Sequence, residues 1–123
     1  MAMYAQNTTI IAGSDQTYRI TVVDANGVLV DLTGATVYYT VKQAASDAAA
    51  LIAKTSATVT EIDILAQSGA TLGQAEIYLV PADTSALLGS YLYDVWVEMP
   101  SGLQYAIVAP ARLKVEAAIT SIP

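Results

Sequence analysis

The sequence predicts an all-β domain, a sandwich or small barrel of short strands, and three observations carry that expectation. Apolar residues recur mostly with period two rather than with helical spacing, as in strands that bury one face. Turn-forming residues interrupt the pattern at Gly13, Gly34, Gly69, Gly73, Gly89, Pro100 and Gly102, a grammar typical of all-β domains. The length of 123 residues suits one compact domain and leaves little room for a second.

The elements follow in order. Tyr18, Ile20 and Val22 alternate with Arg19 and Thr21, and the run ends at Asp24-Ala25-Asn26-Gly27. Asn-Gly supplies the positive-φ positions of a tight turn, so the chain is expected to reverse into Val28-Leu29-Val30. Ala35, Val37, Tyr39 and Val41 then share one face of a strand, and Thr36, Tyr38, Thr40 and Lys42 the other. Further strands are expected at 58–65, 74–80, 90–98, 103–109 and 111–116. Residues 43–54 (QAASDAAALIAK) hold enough alanine for three helical turns on propensity alone. The preferred reading is a loop with one helical turn capped by Ser46, then an edge strand at 51–55, because a sandwich buries a lone helix poorly. Residues 81–89 open on Pro81 and close on Gly89, which suits a single helical turn between two strands. Residues 1–7 and 117–123 lack alternation and are read as an N-terminal arm and a C-terminal tail flanking a domain at 8–116.

Composition narrows function by exclusion. Charged residues make up 13% of the chain, about half the usual ~25%. Eleven acidic against five basic residues give a net charge of −6. A groove that tracks phosphates needs clustered Lys and Arg, so nucleic acid is not an expected partner, and the same acidity disfavours anionic membrane surfaces. No apolar stretch approaches the length of a spanning helix, and the first residues do not read as a secretory leader, so synthesis in the cytoplasm is expected. There is no histidine and no cysteine, which removes the commonest general base, thiolate chemistry and the usual transition-metal ligands.

What remains offers little chemistry. Asp24-Ala25-Asn26-Gly27 resembles the start of a calcium loop, but the position for a bidentate Glu is Ala35, and a hairpin turn explains it. Glu61 and Asp63 share a strand face beside Thr60 and Ile62, the pattern of a solvated face rather than of an acid–base pair. No Ser lies in a Gly-x-Ser-x-Gly elbow, and there is no glycine-rich phosphate loop. The chain is expected not to be an enzyme and to need no cofactor or metal.

The aromatic residues are more informative. Eight tyrosines and one tryptophan accompany no phenylalanine, so nearly every ring carries a polar handle. In 90–98, Tyr91, Tyr93, Val95 and Val97 share one face; Leu92, Asp94, Trp96 and Glu98 share the other. If the first set is core, Leu92 and Trp96 lie outside the sheet. On the same logic Tyr38 and Tyr78 point away from their apolar neighbours. Rings so placed suit partner contact, since they bury large areas at low entropic cost. Tyr38, Tyr78, Leu92 and Trp96, with Tyr4 in the arm and Ile122 in the tail, are the candidate contact residues.

Asp31-Leu32-Thr33-Gly34-Ala35-Thr36-Val37-Tyr38-Tyr39-Thr40-Val41-Lys42 resembles a motif of small structural proteins of tailed bacteriophages, found also in N-terminal domains of the upper-baseplate type. The similarity continues through Ala45-Ser46-Asp47-Ala48, Leu51-Ile52-Ala53-Lys54-Thr55, Val80-Pro81-Ala82-Asp83-Thr84 and Gly89-Ser90-Tyr91-Leu92-Tyr93-Asp94-Val95. It covers about residues 8–116. The resemblance implies an immunoglobulin-like β-sandwich of seven to eight strands that serves as a virion building block, with no catalytic residues. The expected partners are capsid or other virion proteins and further copies of the chain. The chain stops soon after the sandwich, which favours a capsid decoration (cement) protein over a tail or baseplate adaptor. From another class, a carbohydrate-binding module is the alternative, because β-sandwiches with exposed planar rings stack on sugars.

Overall fold

A computed structural model describes residues 7–119, which form eight strands, one short helix and one 3₁₀ turn. The strands are β1 (Thr8–Ile11), β2 (Gln16–Thr21), β3 (Thr36–Lys42), β4 (Ile52–Thr55), β5 (Ile62–Ile64), β6 (Gln74–Leu79), β7 (Gly89–Glu98) and β8 (Gln104–Glu116). The helix α1 (Pro81–Thr84) joins β6 to β7. One sheet has the order β1-β8-β7-β3-β4 and the other β2-β6-β5. All pairings are antiparallel except β1 with β8, where Thr8 lies opposite Leu113 and Ile11 opposite Glu116 in parallel register. This wiring is that of an immunoglobulin-like β-sandwich.

The period-two pattern becomes two facing apolar layers. Val37, Tyr39 and Val41 of β3, Val95 and Val97 of β7, and Leu113 and Val115 of β8 are buried against Ile62, Ala75, Ile77 and Leu79 of the smaller sheet. Each such Val, Leu or Ile contributes about 1.5–3 kcal/mol relative to exposure. Leu32 plugs the core from the loop before β3, at 0% exposure.

The resembling motifs are joints of this sandwich. The Asp31 carboxylate accepts from the Thr33 amide at 2.9 Å and the Thr33 hydroxyl at 2.6 Å, and these two bonds lower its pKa. The turn they shape sends Leu32 inward. In Val80-Pro81-Ala82-Asp83-Thr84, Pro81 opens α1 and the Asp83 carboxylate accepts from the Val80 amide at 2.8 Å. The same carboxylate meets Lys54 Nζ at 2.8 Å, tying edge strand β4 to α1. At the start of β7 the Tyr91 hydroxyl donates to the Leu88 carbonyl (2.9 Å) and accepts from the Leu88 amide (3.1 Å), a tyrosine corner.

Four expectations are corrected in whole or in part. Residues 58–61 form turns, closed by Glu61 N to Thr58 O at 2.9 Å, so only 62–64 join the sheet. The turn at 24–27 forms, with Gly27 at φ +80° and Asp24 accepting from the Asn26 and Val28 amides. The chain does reverse into 28–30, with Asp24 N bonded to Val28 O at 2.8 Å, Val30 N to Val22 O at 3.0 Å and an antiparallel Val23–Leu29 bridge, but 28–30 forms no strand. Residues 43–51 form no helical turn: Asp47, not Ser46, organises the bend by accepting from the Ala44 amide at 3.0 Å. The edge strand that follows is β4, as expected. Finally, Pro110 does not separate two strands. It lies within β8, whose pairing to β7 slips between Tyr93 and Val95 and again between Val95 and Trp96. A bulge is where a sheet tolerates a residue without an N–H.

Candidate functional site

The outer face of the five-stranded sheet is built by register. Four rows cross it. Thr36 lies opposite Glu98, which lies opposite Gln104; Tyr38 opposite Trp96, opposite Ala106; Thr40 opposite Asp94; and Lys42 opposite Leu92, opposite Arg112. Successive rows are about 6.8 Å apart along the strands. The aromatic pair thus has a polar row on each side, and Leu92 sits beyond Asp94.

Trp96 and Tyr38 are 41% and 39% exposed, large values for rings in adjacent central strands. Ala106, across from Trp96, presents only a methyl group. Where Asp94 would meet β8 the register slips, and Pro110 lines the opening. The result is a shallow groove of about 410 Å³ over Tyr38, Asp94, Trp96, Glu98, Gln104 and Pro110.

Its polar groups are held in place. Trp96 Nε1 donates to Asp94 Oδ2 at 3.0 Å, and Gln104 Nε2 donates to Glu98 Oε2 at 2.8 Å. Each bond fixes a carboxylate through one of its two oxygens. Asp94 and Glu98 against Lys42 make the groove mildly acidic, like the chain.

Three of the sequence-expected contact residues, Tyr38, Leu92 and Trp96, meet on this face. Tyr78 does not. It stands on the outer face of the smaller sheet, where its hydroxyl donates to Glu76 Oε1 at 3.4 Å beside the Arg19–Glu76 ion pair of 3.1 Å. Partial burial, then Glu76 and Asp63, raise its pKa. That face is an ordinary charged surface. Tyr4 and Ile122 lie outside the described residues. The carboxylates Glu61 and Asp63 part company: Glu61 accepts from the Thr55 amide at 3.0 Å, and Asp63 lies opposite Glu76 on β6. Among the described residues no three His, Cys, Asp or Glu gather as a metal cluster.

Sequence reading placed Lys42 on the face of Tyr38, and Asp94 and Glu98 on that of Trp96, without naming them as contact residues, and it missed Gln104. Alternation around Trp96 placed Asp94 and Glu98 on its face, but which β8 residues lie beside them depends on the bulge. It also missed a second recess, of about 300 Å³, between the sheets near β1 and β2. Tyr18, Tyr39 and Tyr93 converge there, the rings of Tyr39 and Tyr93 at 5.6 Å. The Tyr18 hydroxyl is buried without a hydrogen-bond partner. Burial, then the nearby Tyr93, pushes its pKa up to about 12, and burial raises that of Tyr39 as well.

No family model matches the chain, and no curated protein does. Among solved structures it is similar to a marsupial T cell receptor, at TM-score 0.47 and 12% identity, over 95% of this chain and 52% of the receptor chain. The chain thus spans about half the length of that receptor chain.

Proposed function

We propose that the chain is a non-enzymatic structural subunit of a tailed-bacteriophage particle, seated on the head as a decoration protein. One observation carries the reading beyond the motif resemblance: an apolar end of the sandwich. Ile11, Val80 and Leu88 are 41%, 42% and 60% exposed there. The Ala12 amide bonds to the Glu116 carbonyl (2.8 Å) and the Gly13 amide to Thr84 Oγ1 (3.0 Å), so the end of β1, α1 and the end of β8 meet at this pole. Ile119, fully exposed, follows β8 out of it.

Apolar side chains gathered on a sparsely charged surface favour association over solvation. A subunit seated by this end, with Ile119 exposed beside it, leaves both sheet faces open. By binding only the assembled lattice it stabilises that lattice through mass action. The motifs fit a building block, since their residues form turns, an ion pair and a tyrosine corner that brace the fold.

Particle incorporation tests this. Val80→Asp with Leu88→Asp, or removal of residues 117–123, should reduce the subunit's abundance on purified particles while leaving its soluble fold intact. Full incorporation of both variants would overturn the proposed seat. A copy number that matches a tail's low rotational symmetry would favour the adaptor reading instead.

A further inference from the structure

We propose that the groove over Tyr38 and Trp96 binds a neutral oligosaccharide. The inference goes beyond the particle-subunit reading and does not depend on it, because the groove lies on a sheet face and the proposed seat at one end.

The chemistry of the groove is amphipathic at the scale of a sugar ring. A pyranose presents a face of C–H groups and a rim of hydroxyls. Trp96 and Tyr38, opposite each other in register and both about two-fifths exposed, offer aromatic surface for the first, with only the methyl of Ala106 across from Trp96 on the next strand. The polar rows about 6.8 Å to either side place acceptors and donors where the rim would fall. Asp94 and Thr40 stand on one side, Glu98 and Gln104 on the other. Asp94 and Glu98 are already oriented by Trp96 and Gln104, so little side-chain freedom is lost when hydroxyls bind their second oxygens. The groove's volume, about 410 Å³, falls within the range of small-ligand sites.

Charge selects the ligand class. Two carboxylates and one lysine line the groove of an acidic chain, which repels phosphate, sulfate and uronate groups. A protein partner is less well matched. Asp and Glu are depleted from the centres of protein interfaces, and a dry contact here would strip Asp94 and Glu98 of water while the cations of this face, Lys42 and Arg112, stand in the row beyond Asp94. A sugar satisfies them with hydroxyls instead.

Trp96 is the chain's single tryptophan, so its fluorescence reports this groove alone. Neutral hexose, N-acetylhexosamine and deoxyhexose oligosaccharides, immobilised as an array and then titrated in solution against the full chain, provide the probe. The expected result is saturable binding to at least one of them, with a change in Trp96 emission. Calorimetry should show Trp96→Ala, Tyr38→Ala and Asp94→Ala each weakening it about tenfold or more, the cost of one anchor contact. Tyr78→Ala, on the other sheet, should bind as the parent does, and thermal unfolding verifies that each variant folds. Absence of binding to every probe at millimolar concentration would overturn the proposal, as would binding that Trp96→Ala leaves unchanged. Loss of particle incorporation in Trp96→Ala without any sugar binding would reassign the face to a protein contact. Unchanged incorporation alongside lost sugar binding is the expected pattern.

Discussion

Replacing Asp83 by asparagine should cost this fold about 2–3 kcal/mol, most of it through Lys54. The pair is 2.8 Å apart with side chains only 11% and 19% exposed, so solvent screens it far less than a surface bridge. Asparagine still accepts from the Val80 amide, which isolates the ionic part of the joint. It leaves the Lys54 ammonium nearly buried beside Tyr39, its register partner on β3, with no counter-charge. Breaking a fully buried pair costs about 3–5 kcal/mol, and the residual exposure places this one somewhat lower. A domain of this length has a total stability of roughly 6–18 kcal/mol, so the loss is well within measurement. Urea unfolding is the assay, because urea does not screen charge. The midpoint should fall with the slope unchanged. Lys54→Met keeps the buried stem and removes the charge, so the double variant Lys54→Met/Asp83→Asn should regain at least about 1 kcal/mol over Asp83→Asn alone. A loss below about 0.5 kcal/mol, or strict additivity of the two substitutions, would refute the argument that the ion pair braces β4 against α1.

Tyr18→Phe removes a buried hydroxyl without a partner and should be neutral or stabilising by up to about 1 kcal/mol; a clear loss in urea unfolding would mean that the hydroxyl has a partner. Stability should also fall as pH rises from 10 towards 12. Tyr18 titrates near 12 when folded against the ordinary 10, so the native state holds the extra proton in that window, and the contribution is complete only below 10. Phenolate absorbance should therefore show Tyr18 and Tyr39 ionising above the ordinary tyrosine range; ionisation of both near 10 in a fold that keeps its near-ultraviolet dichroism would contradict this. Gly73→Ala should cost at least about 2 kcal/mol, because φ is +76° and a Cβ would lie 2.9 Å from the Val22 carbonyl oxygen. Gly102→Ala, also at positive φ but with open space around it, should cost visibly less, and equal losses in thermal unfolding would discount the contact.

Period two made the sandwich legible wherever a strand buries one face for six residues or more, as β2, β3, β6 and β7 do. It failed where pairing is short or set from outside. The four residues Thr8-Thr9-Ile10-Ile11 are too few to alternate persuasively, and their parallel pairing to β8 depends on the far end of the chain. Residues 58–61 carry β-prone side chains, yet Glu61 caps the Thr55 amide and the chain turns instead. Gln67 is another case: its side chain accepts from the Leu32 and Gly73 amides (2.8 and 3.0 Å) and donates to Leu65 O, joining loops 35 residues apart in a way no local pattern announces. For the groove, alternation placed Tyr38, Leu92 and Trp96 outward but said nothing of sheet order. Only the register of β3, β7 and β8 separates them from Tyr78 and adds Gln104 and the bulge at Pro110.

The central claim, a particle subunit seated by its apolar end, is tested most directly by the chain's abundance in washed, purified phage particles. Quantitative mass spectrometry against a major shell protein should find on the order of hundreds of copies, as a repeating shell lattice requires. Recovery of the chain only in the soluble lysate, with none on the particles, would contradict the account.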